Sequence, residues 1–270
     1  MKTRPLGATG LDVSEFGLGC ARIGGIFQTG EPDFVRLLEV AHGVGFTFFD
    51  TSDMYSQGES ERLLGRAFRG RRHDVVIATK AGYVLPRRRQ FAARIKPLLR
   101  PLIRRLGLKR SQLSAAVRGT PQQDFTPAYL RKALEGSLKR LRTDYVDLFQ
   151  LHSPPLEAVE RGEWHDVMSR LKREGKVRAY GVSCDSVEVG LAALRFEGLG
   201  SVQVVLSLLE RSASETLLPS ARAKGVAGIA RECLANGLLI KPASEVDLGK
   251  YSSSPEQERK RASACRHGEP

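Results

Sequence analysis

Short apolar runs rich in β-branched residues alternate with longer amphipathic stretches along most of the chain. The short runs hold few charges and lie between turn-forming residues, which is typical of buried strands. They predict seven strands, over Val13–Gly19, Phe46–Phe49, Val75–Thr79, Tyr145–Leu151, Ala179–Val182, Val202–Leu206 and Val226–Ala230. A turn at Gly7–Gly10 is predicted before the first strand.

The longer stretches place apolar residues at helical spacing. The clearest begins at Thr126-Pro127, where proline suits the first turn of a helix, and its leucines recur three or four residues apart. The pattern predicts helices over Pro32–His42, Ser60–Phe68, Pro127–Leu141, Glu157–Glu174, Val187–Phe196 and Glu215–Lys224.

This alternation predicts an α/β fold, in which a parallel sheet is covered by helices. An open doubly wound sheet would carry a glycine fingerprint in its first strand–helix turn, but Arg22 stands where the third glycine belongs. Instead, Asp50, Lys80, His152 and Ser183 follow strand ends, where a barrel gathers its active site. We therefore predict a (β/α)8 TIM-type barrel that is C-terminally incomplete, with seven readable β/α repeats.

The composition is that of a soluble globular protein, with 41% apolar and 27% charged residues. No apolar run approaches the ~20 residues that span a bilayer, and the N-terminus lacks the apolar core of a signal peptide. The cysteines are scattered without metal-ligand spacing, at Cys20, Cys184, Cys233 and Cys265. We therefore expect a cytoplasmic protein with no disulfide framework and no metal site.

The net charge of +13 is concentrated in one segment. Eleven basic and no acidic residues lie between Pro86 and Gln122, which leaves a charge of +2 for the rest of the chain. Apolar residues of this basic insert share one helical face, so we expect a lid or a helix docked on the barrel. Contact with an anionic membrane surface or partner is the alternative. Nucleic-acid binding is not expected, because aromatic residues are not interleaved with the basic ones.

These features predict one barrel domain over residues 1–240, with the basic insert at about 86–122. Residues 241–270 hold no candidate for an eighth strand and are expected to form an irregular segment. The sequence leaves the oligomeric state open.

Four of the polar residues near strand ends suit proton transfer. Tyr55 follows Asp50 by five residues, and a tyrosine with an ordinary pKa of ~10 holds its proton at neutral pH. Lys80 nearby is expected to lower that pKa by stabilising the phenolate, and Asp50 to hold Lys80 in place. His152 could orient the reacting oxygen. Each residue alone has a structural alternative: a packed tyrosine, a surface lysine, a buried histidine or a capping aspartate.

Several segments together resemble the aldo-keto reductase family. They read FDTSDMY at Phe49–Tyr55, SERLLG at Ser60–Gly65, IATK at Ile77–Lys80, DYVDLFQLH at Asp144–His152 and GKVRAYGVS at Gly175–Ser183. The resemblance runs from about Lys2 to Lys241, interrupted by the basic insert. It implies a (β/α)8 barrel and reversible reduction of a small-molecule carbonyl substrate, an aldehyde or ketone, with NADPH or NADH.

The resemblance implies that Tyr55 is the proton donor and that Asp50, Lys80 and His152 complete a catalytic tetrad with it. Ser183 would bind the nicotinamide carboxamide, and Gln203 would hold the same amide. Cys184 stands where the family usually has asparagine.

The last cofactor contacts are expected just after the seventh strand. Arg231 occupies a place where an aromatic residue often stacks on the nicotinamide, and a guanidinium could stack there or contact the pyrophosphate. Leu234 and Gly237 would lie beside the pyrophosphate. A catalytically weak barrel that acts as a cofactor-binding or regulatory module is the alternative function.

Overall fold

One curled sheet of parallel strands dominates the computed structural model, which describes residues 1–24, 31–84 and 122–240. The strands of that part are β1 (Thr3–Pro5), β2 (Asp12–Ser14), β3 (Gly17–Gly19), β4 (Phe48–Asp50), β5 (Val76–Ala81), β6 (Tyr83–Val84), β7 (Gln122–Gln123), β8 (Val146–His152), β9 (Val177–Ser183), β10 (Ser201–Val205) and β11 (Ala227–Arg231). Seven of them form the sheet, in the order β11-β10-β9-β8-β5-β4-β3. The described part is consistent with an incomplete (β/α)8 barrel, which confirms the predicted fold class.

Seven helices cover this sheet in the described residues: α1 (Glu31–Gly43), α2 (Glu59–Ala67), α3 (Pro127–Leu141), α4 (Leu156–Glu160), α5 (Glu163–Arg173), α6 (Val187–Ala193) and α7 (Leu217–Ala223). The predicted start of α3 is confirmed, since the helix begins at Pro127, and the Thr126 side chain caps it by accepting from the N–H of Tyr129. None of the helices in the described part is long and apolar enough to cross a membrane.

Two predicted elements are each divided in the structure. The predicted single strand Val13–Gly19 is wrong, because the segment forms two strands. β2 pairs antiparallel with β1, and β3 pairs parallel with β4 in the main sheet. Ser14 causes the break, since its hydroxyl donates to the carbonyl of Phe16 and accepts from the N–H of Thr47. The predicted helix Glu157–Glu174 is likewise two helices, because Gly162 adopts a left-handed conformation (φ 73°) between α4 and α5.

The β1–β2 hairpin closes the N-terminal end of the sheet. Leu6, Leu11 and Val13 pack with Phe48 and neighbouring apolar residues inside the curl. The tip of the hairpin fits closely, since a Cβ atom on Gly7 would lie 2.5 Å from the carbonyl oxygen of Gly225. Apolar side chains thus fill the inside of the curl at this end, and Asp50, Lys80 and His152 lie at the other, C-terminal end of their strands.

The basic insert begins and ends in a small antiparallel ribbon at that C-terminal end. Its two strands are β6 and β7, in which Tyr83 pairs with Gln123 and Val84 with Gln122. The predicted lid or docked helix covers residues 86–122, and all of it except Gln122 lies outside the described residues, as does the predicted irregular segment 241–270.

Candidate active site

The structure brings Asp50, Lys80, Tyr55 and His152 together at the C-terminal end of the sheet. Lys80 is buried with 1% of its surface exposed, and its Nζ donates to Asp50 Oδ2 over 2.6 Å and to the carbonyl of Thr51 over 2.9 Å. The adjacent strands β4 and β5 set this geometry, because parallel strands present their carboxyl ends at one edge.

A strained turn after β4 carries Tyr55 to Lys80. Ser56 and Gln57 both have positive φ angles, of 49° and 63°, which are unfavourable for residues other than glycine. The ring centre of Tyr55 lies 5.2 Å from Lys80 Nζ and 5.7 Å from the centre of the His152 ring, at an interplanar angle of 85°. The aromatic ring of Tyr55 is therefore in contact range of both residues.

Burial decides the pKa of Tyr55. Removal from water raises the pKa above its ordinary value, and the charge of Lys80 is the largest opposing effect. Lys80 acts on this pKa in the predicted direction, but the sequence did not show that burial outweighs its charge. Tyr55 keeps its proton at neutral pH.

Burial also decides the pKa of His152, and the imidazole ring is neutral. Its pKa is lowered to about 3, first by burial and then by the charges of Lys80 and Arg231. Nδ1 lies 3.0 Å from the hydroxyl of Ser52, and the Tyr83 ring stands edge-on at 4.9 Å. Sequence reasoning missed Ser52 and Tyr83 as neighbours of His152. The position of Ser52, two residues after Asp50, was the available signal.

A chain of hydrogen bonds links the first cofactor candidates to Asp50. The Ser183 hydroxyl donates to Gln203 Oε1 over 2.9 Å, and Gln203 Nε2 donates to Asp50 Oδ1 over 3.2 Å. Cys184 is fully buried next to them, and its thiol donates to the backbone carbonyl of Gln203 over 3.3 Å. Burial raises the pKa of the Cys184 thiol to about 11. The side chain of Cys184 is thus a neutral thiol directed at the backbone.

Arg231, at the end of β11, is held by its neighbours. Its guanidinium donates to Asp185 Oδ1, to Glu232 Oε1 over 2.7 Å and to the carbonyl of Cys184 over 3.3 Å. Its Nε atom is buried and has no hydrogen-bond partner in the described part of the chain. The Asp185 contact is one that sequence reasoning missed.

Leu234 and Gly237 lie beyond β11, where the chain turns sharply. The side chain of Leu234 is exposed, and the backbone N–H of Gly237 donates to the carbonyl of Leu234 over 2.9 Å. Gly237 has a left-handed φ of 93°. No hydrogen bond between described residues joins these two to the Asp50–Lys80 cluster, so their place at a cofactor stays a prediction.

Comparison with known proteins points in one direction. The family model for the Aldo/keto reductase family matches residues 15–264. The uncharacterized oxidoreductase YqkF of Bacillus subtilis is 31% identical over 257 residues, 95% of this chain and 71% of that protein. The holo form of the aldo-keto reductase AKR11C1 from Bacillus halodurans matches with a TM-score of 0.74 and 31% identity, over 92% of this chain and 72% of that one.

An aldo-keto reductase from Klebsiella pneumoniae, solved in complex with NADPH, also matches. Its TM-score is 0.62 at 26% identity, over 86% of this chain and 68% of that one.

Proposed function

The chain belongs to the aldo/keto reductase family, and on that premise we propose that it reduces an aldehyde or ketone to an alcohol with NADPH, or NADH, as cofactor. The observation that carries this proposal is the buried Lys80, bonded to Asp50 and in contact range of the Tyr55 ring. The bound nicotinamide would supply the hydride to the carbonyl carbon.

Tyr55 supplies the proton to the carbonyl oxygen in this proposal. Its raised pKa keeps it protonated in the resting protein, as a general acid must be. When the proton leaves, the phenolate is stabilised by the charge of Lys80, and Asp50 keeps that ammonium in place. The Lys80–Asp50 pair therefore acts mainly after proton transfer has begun.

His152 holds the carbonyl oxygen beside Tyr55. Because its ring is neutral, it can donate one hydrogen bond without competing as an acid. Its edge-on contact with Tyr55 puts both side chains within reach of one small group.

The polar residues around Asp50 fit the cofactor. Ser183 and Gln203 each carry a donor and an acceptor, which suits the two polar groups of a carboxamide. The unpartnered Nε of Arg231 and its positive charge suit the nicotinamide face or the pyrophosphate. We extend the proposal to Cys184 through its backbone, and to Leu234 and Gly237 as contacts on the pyrophosphate side.

Titration with NADPH and with NADH, followed by turnover of small aldehydes, tests the proposal. We expect saturable binding, with quenching of protein fluorescence, and oxidation of the reduced cofactor that depends on the aldehyde. Binding without turnover would favour the cofactor-binding module instead. A chain that binds neither nucleotide, while its circular dichroism shows a folded protein, would contradict both functions.

A further inference from the structure

The hydroxyl of Ser52 lies between His152 and Asp53, a carboxyl group that the proposed reaction does not use. Ser52 Oγ is 3.0 Å from His152 Nδ1 and 3.2 Å from Asp53 Oδ1. The N–H of Met54 donates to the same oxygen over 3.3 Å, and the carbonyl of Lys80 lies 3.3 Å away. A hydroxyl has one hydrogen and two lone pairs, so it cannot donate to all of these acceptors at once.

Two arrangements satisfy this hydroxyl fully. In the first, protonated Asp53 donates to Ser52, Ser52 donates to Nδ1 of His152, and Nε2 carries the imidazole proton. In the second, ionised Asp53 accepts from Ser52, Nδ1–H donates to Ser52, and Nε2 is bare. Met54 N–H occupies the other lone pair of the hydroxyl in both. The Lys80 carbonyl is the weaker competitor, because it already accepts the N–H of Asp53 over 3.2 Å.

The two arrangements differ by one proton. From the first to the second, the Asp53 proton moves to Ser52, the Ser52 proton moves to Nδ1, and the Nε2 proton leaves to solvent. His152 stays neutral throughout, because burial lowers its pKa to about 3. The ionisation of Asp53 therefore changes the position of the imidazole proton and leaves the ring charge unchanged.

Three charged or titratable groups from the helices act on Asp53 or respond to its charge: Glu61 of α2 and Arg140 and Tyr129 of α3. His152 is linked to Asp53 through Ser52. Arg140 is bonded to Glu61, whose other carboxylate oxygen accepts from Thr79 over 2.6 Å.

No cation forms an ion pair with Asp53 itself among the described residues. Burial raises the pKa of Asp53 to about 7, helped by the charge of Glu61 and opposed by Arg140 and the Ser52 hydrogen bond. Asp53 can therefore change its charge near neutral pH.

We propose that Ser52 and Asp53 are positioning residues that set which ring nitrogen of His152 carries the proton. The catalytic meaning of this inference rests on the proposed function. Nε2–H can donate to a carbonyl oxygen and assist reduction, whereas bare Nε2 can accept from an alcohol hydroxyl and assist oxidation. Protonated Asp53 thus favours reduction, and ionised Asp53 favours oxidation.

Nuclear magnetic resonance of the full chain labelled with ¹⁵N-histidine tests the switch without any activity. The His152 signals, assigned by their loss in His152→Gln, are expected to pass from the Nε2–H to the Nδ1–H tautomer as the pH rises, with a midpoint near the Asp53 pKa of about 7. Asp53→Asn removes the titrating group and Ser52→Ala removes the connection, so His152 is expected to keep one tautomer in each. Asp144→Asn, an exposed carboxylate before β8, is the matched control and is expected to keep the switch.

Kinetics then connect the switch to the reaction. We expect kcat/KM for reduction to fall by about tenfold across the same transition, the effect of one hydrogen bond, while kcat/KM for oxidation rises. Both profiles are expected to lose this inflection in Asp53→Asn and Ser52→Ala. A merely structural role would lower the rates of these variants at every pH and leave the inflection in place.

The outcomes separate the two proposals. A single His152 tautomer at all pH values in the wild type, or a switch that persists in both variants, overturns the inference. A tautomer switch with no matching inflection in the rates also overturns its catalytic part. A tautomer switch that the variants abolish, in a chain that turns over no carbonyl, supports the positioning and contradicts only the proposed function.

Discussion

Asp50 and Asp147 are two aspartates at opposite ends of the sheet that use their hydrogen bonds differently. Asp147, in β8, is buried with 1% exposed, and it accepts from Arg72 over 2.6 Å, Arg178 over 3.0 Å and the N–H of Ile77 over 2.9 Å. Its donors come from the segment before β5, from β5 itself and from β9, so Asp147 joins β8 to both neighbouring strands at the N-terminal end.

Asp50 takes part in a different kind of cluster. It accepts from Lys80 and from Gln203, and the same lysine acts on the pKa of Tyr55. Asp147 is bonded only to arginine side chains and a backbone N–H among the described residues, whereas Asp50 is bonded to Lys80, which lies beside the titratable hydroxyl group of Tyr55. On the proposed function, Asp147 stabilises the fold at the N-terminal end of the sheet, and Asp50 serves the reaction at the C-terminal end.

Removal of the Tyr55 hydroxyl is expected to have the largest effect on activity. The same change at the N-terminal end of the sheet is expected to have little effect on activity. Tyr55→Phe should lower aldehyde reduction by about 10²–10⁴-fold, because general acid catalysis contributes that much. Nucleotide affinity and melting temperature should stay near the wild-type values. Tyr145→Phe is the matched control at the other end, where the ring lies under the Arg72 guanidinium at 4.5 Å. Near-wild-type turnover by Tyr55→Phe would remove the hydroxyl from the reaction.

The matched pair Asp147→Asn and Asp50→Asn tests the comparison itself. Asp147→Asn should lower the free energy of unfolding by about 3 kcal/mol, since it leaves Arg72 without its buried counter-charge. The activity per folded molecule should be retained. Asp50→Asn should instead lower kcat by about tenfold or more, because Lys80 loses the group that positions it. Urea denaturation and kinetics on both variants measure this. If both variants lose stability and activity alike, the division between the ends is wrong.

The repeating pattern of the sequence predicted the sheet and the meeting of Asp50, Lys80 and His152. Strand ends can be read from apolar periodicity, and parallel strands place their carboxyl ends at one edge. The breaks at Ser14 and Gly162 could not be read in this way. The first depends on the hydrogen bond from Thr47, 33 residues away in sequence, and the second on one backbone angle.

The environment of the candidate site was less predictable than its members. The pKa of Tyr55 is raised because burial outweighs Lys80, and the extent of burial emerges only when the chain has folded. Likewise, the contacts of Ser52 with His152 and of Arg231 with Asp185 join residues 100 and 46 positions apart. Sequence spacing does not encode such contacts.

The stability of the wild type is expected to change little with pH, because two groups at the C-terminal end have opposite effects on it. The pKa of His152 is lowered from 6.5 to about 3, so between these values only the unfolded chain binds this proton, and stability rises with pH. The pKa of Asp53 is raised from 3.8 to about 7, so there the folded chain retains its proton, and stability falls as pH rises.

These two contributions oppose each other between about pH 4 and 6.5, and we expect them largely to cancel there. Asp53→Asn removes only the falling contribution. Relative to the wild type, the variant should therefore gain up to about 1.4 kcal/mol of unfolding free energy per pH unit across that window. His152→Gln should show the opposite slope, because it removes only the rising contribution. Denaturant unfolding at half-unit pH steps measures both, with Asp144→Asn as the control. Parallel curves for Asp53→Asn and the wild type would show that Asp53 is ionised in the folded chain throughout, and both the stability argument and the proton position at His152 would then be wrong.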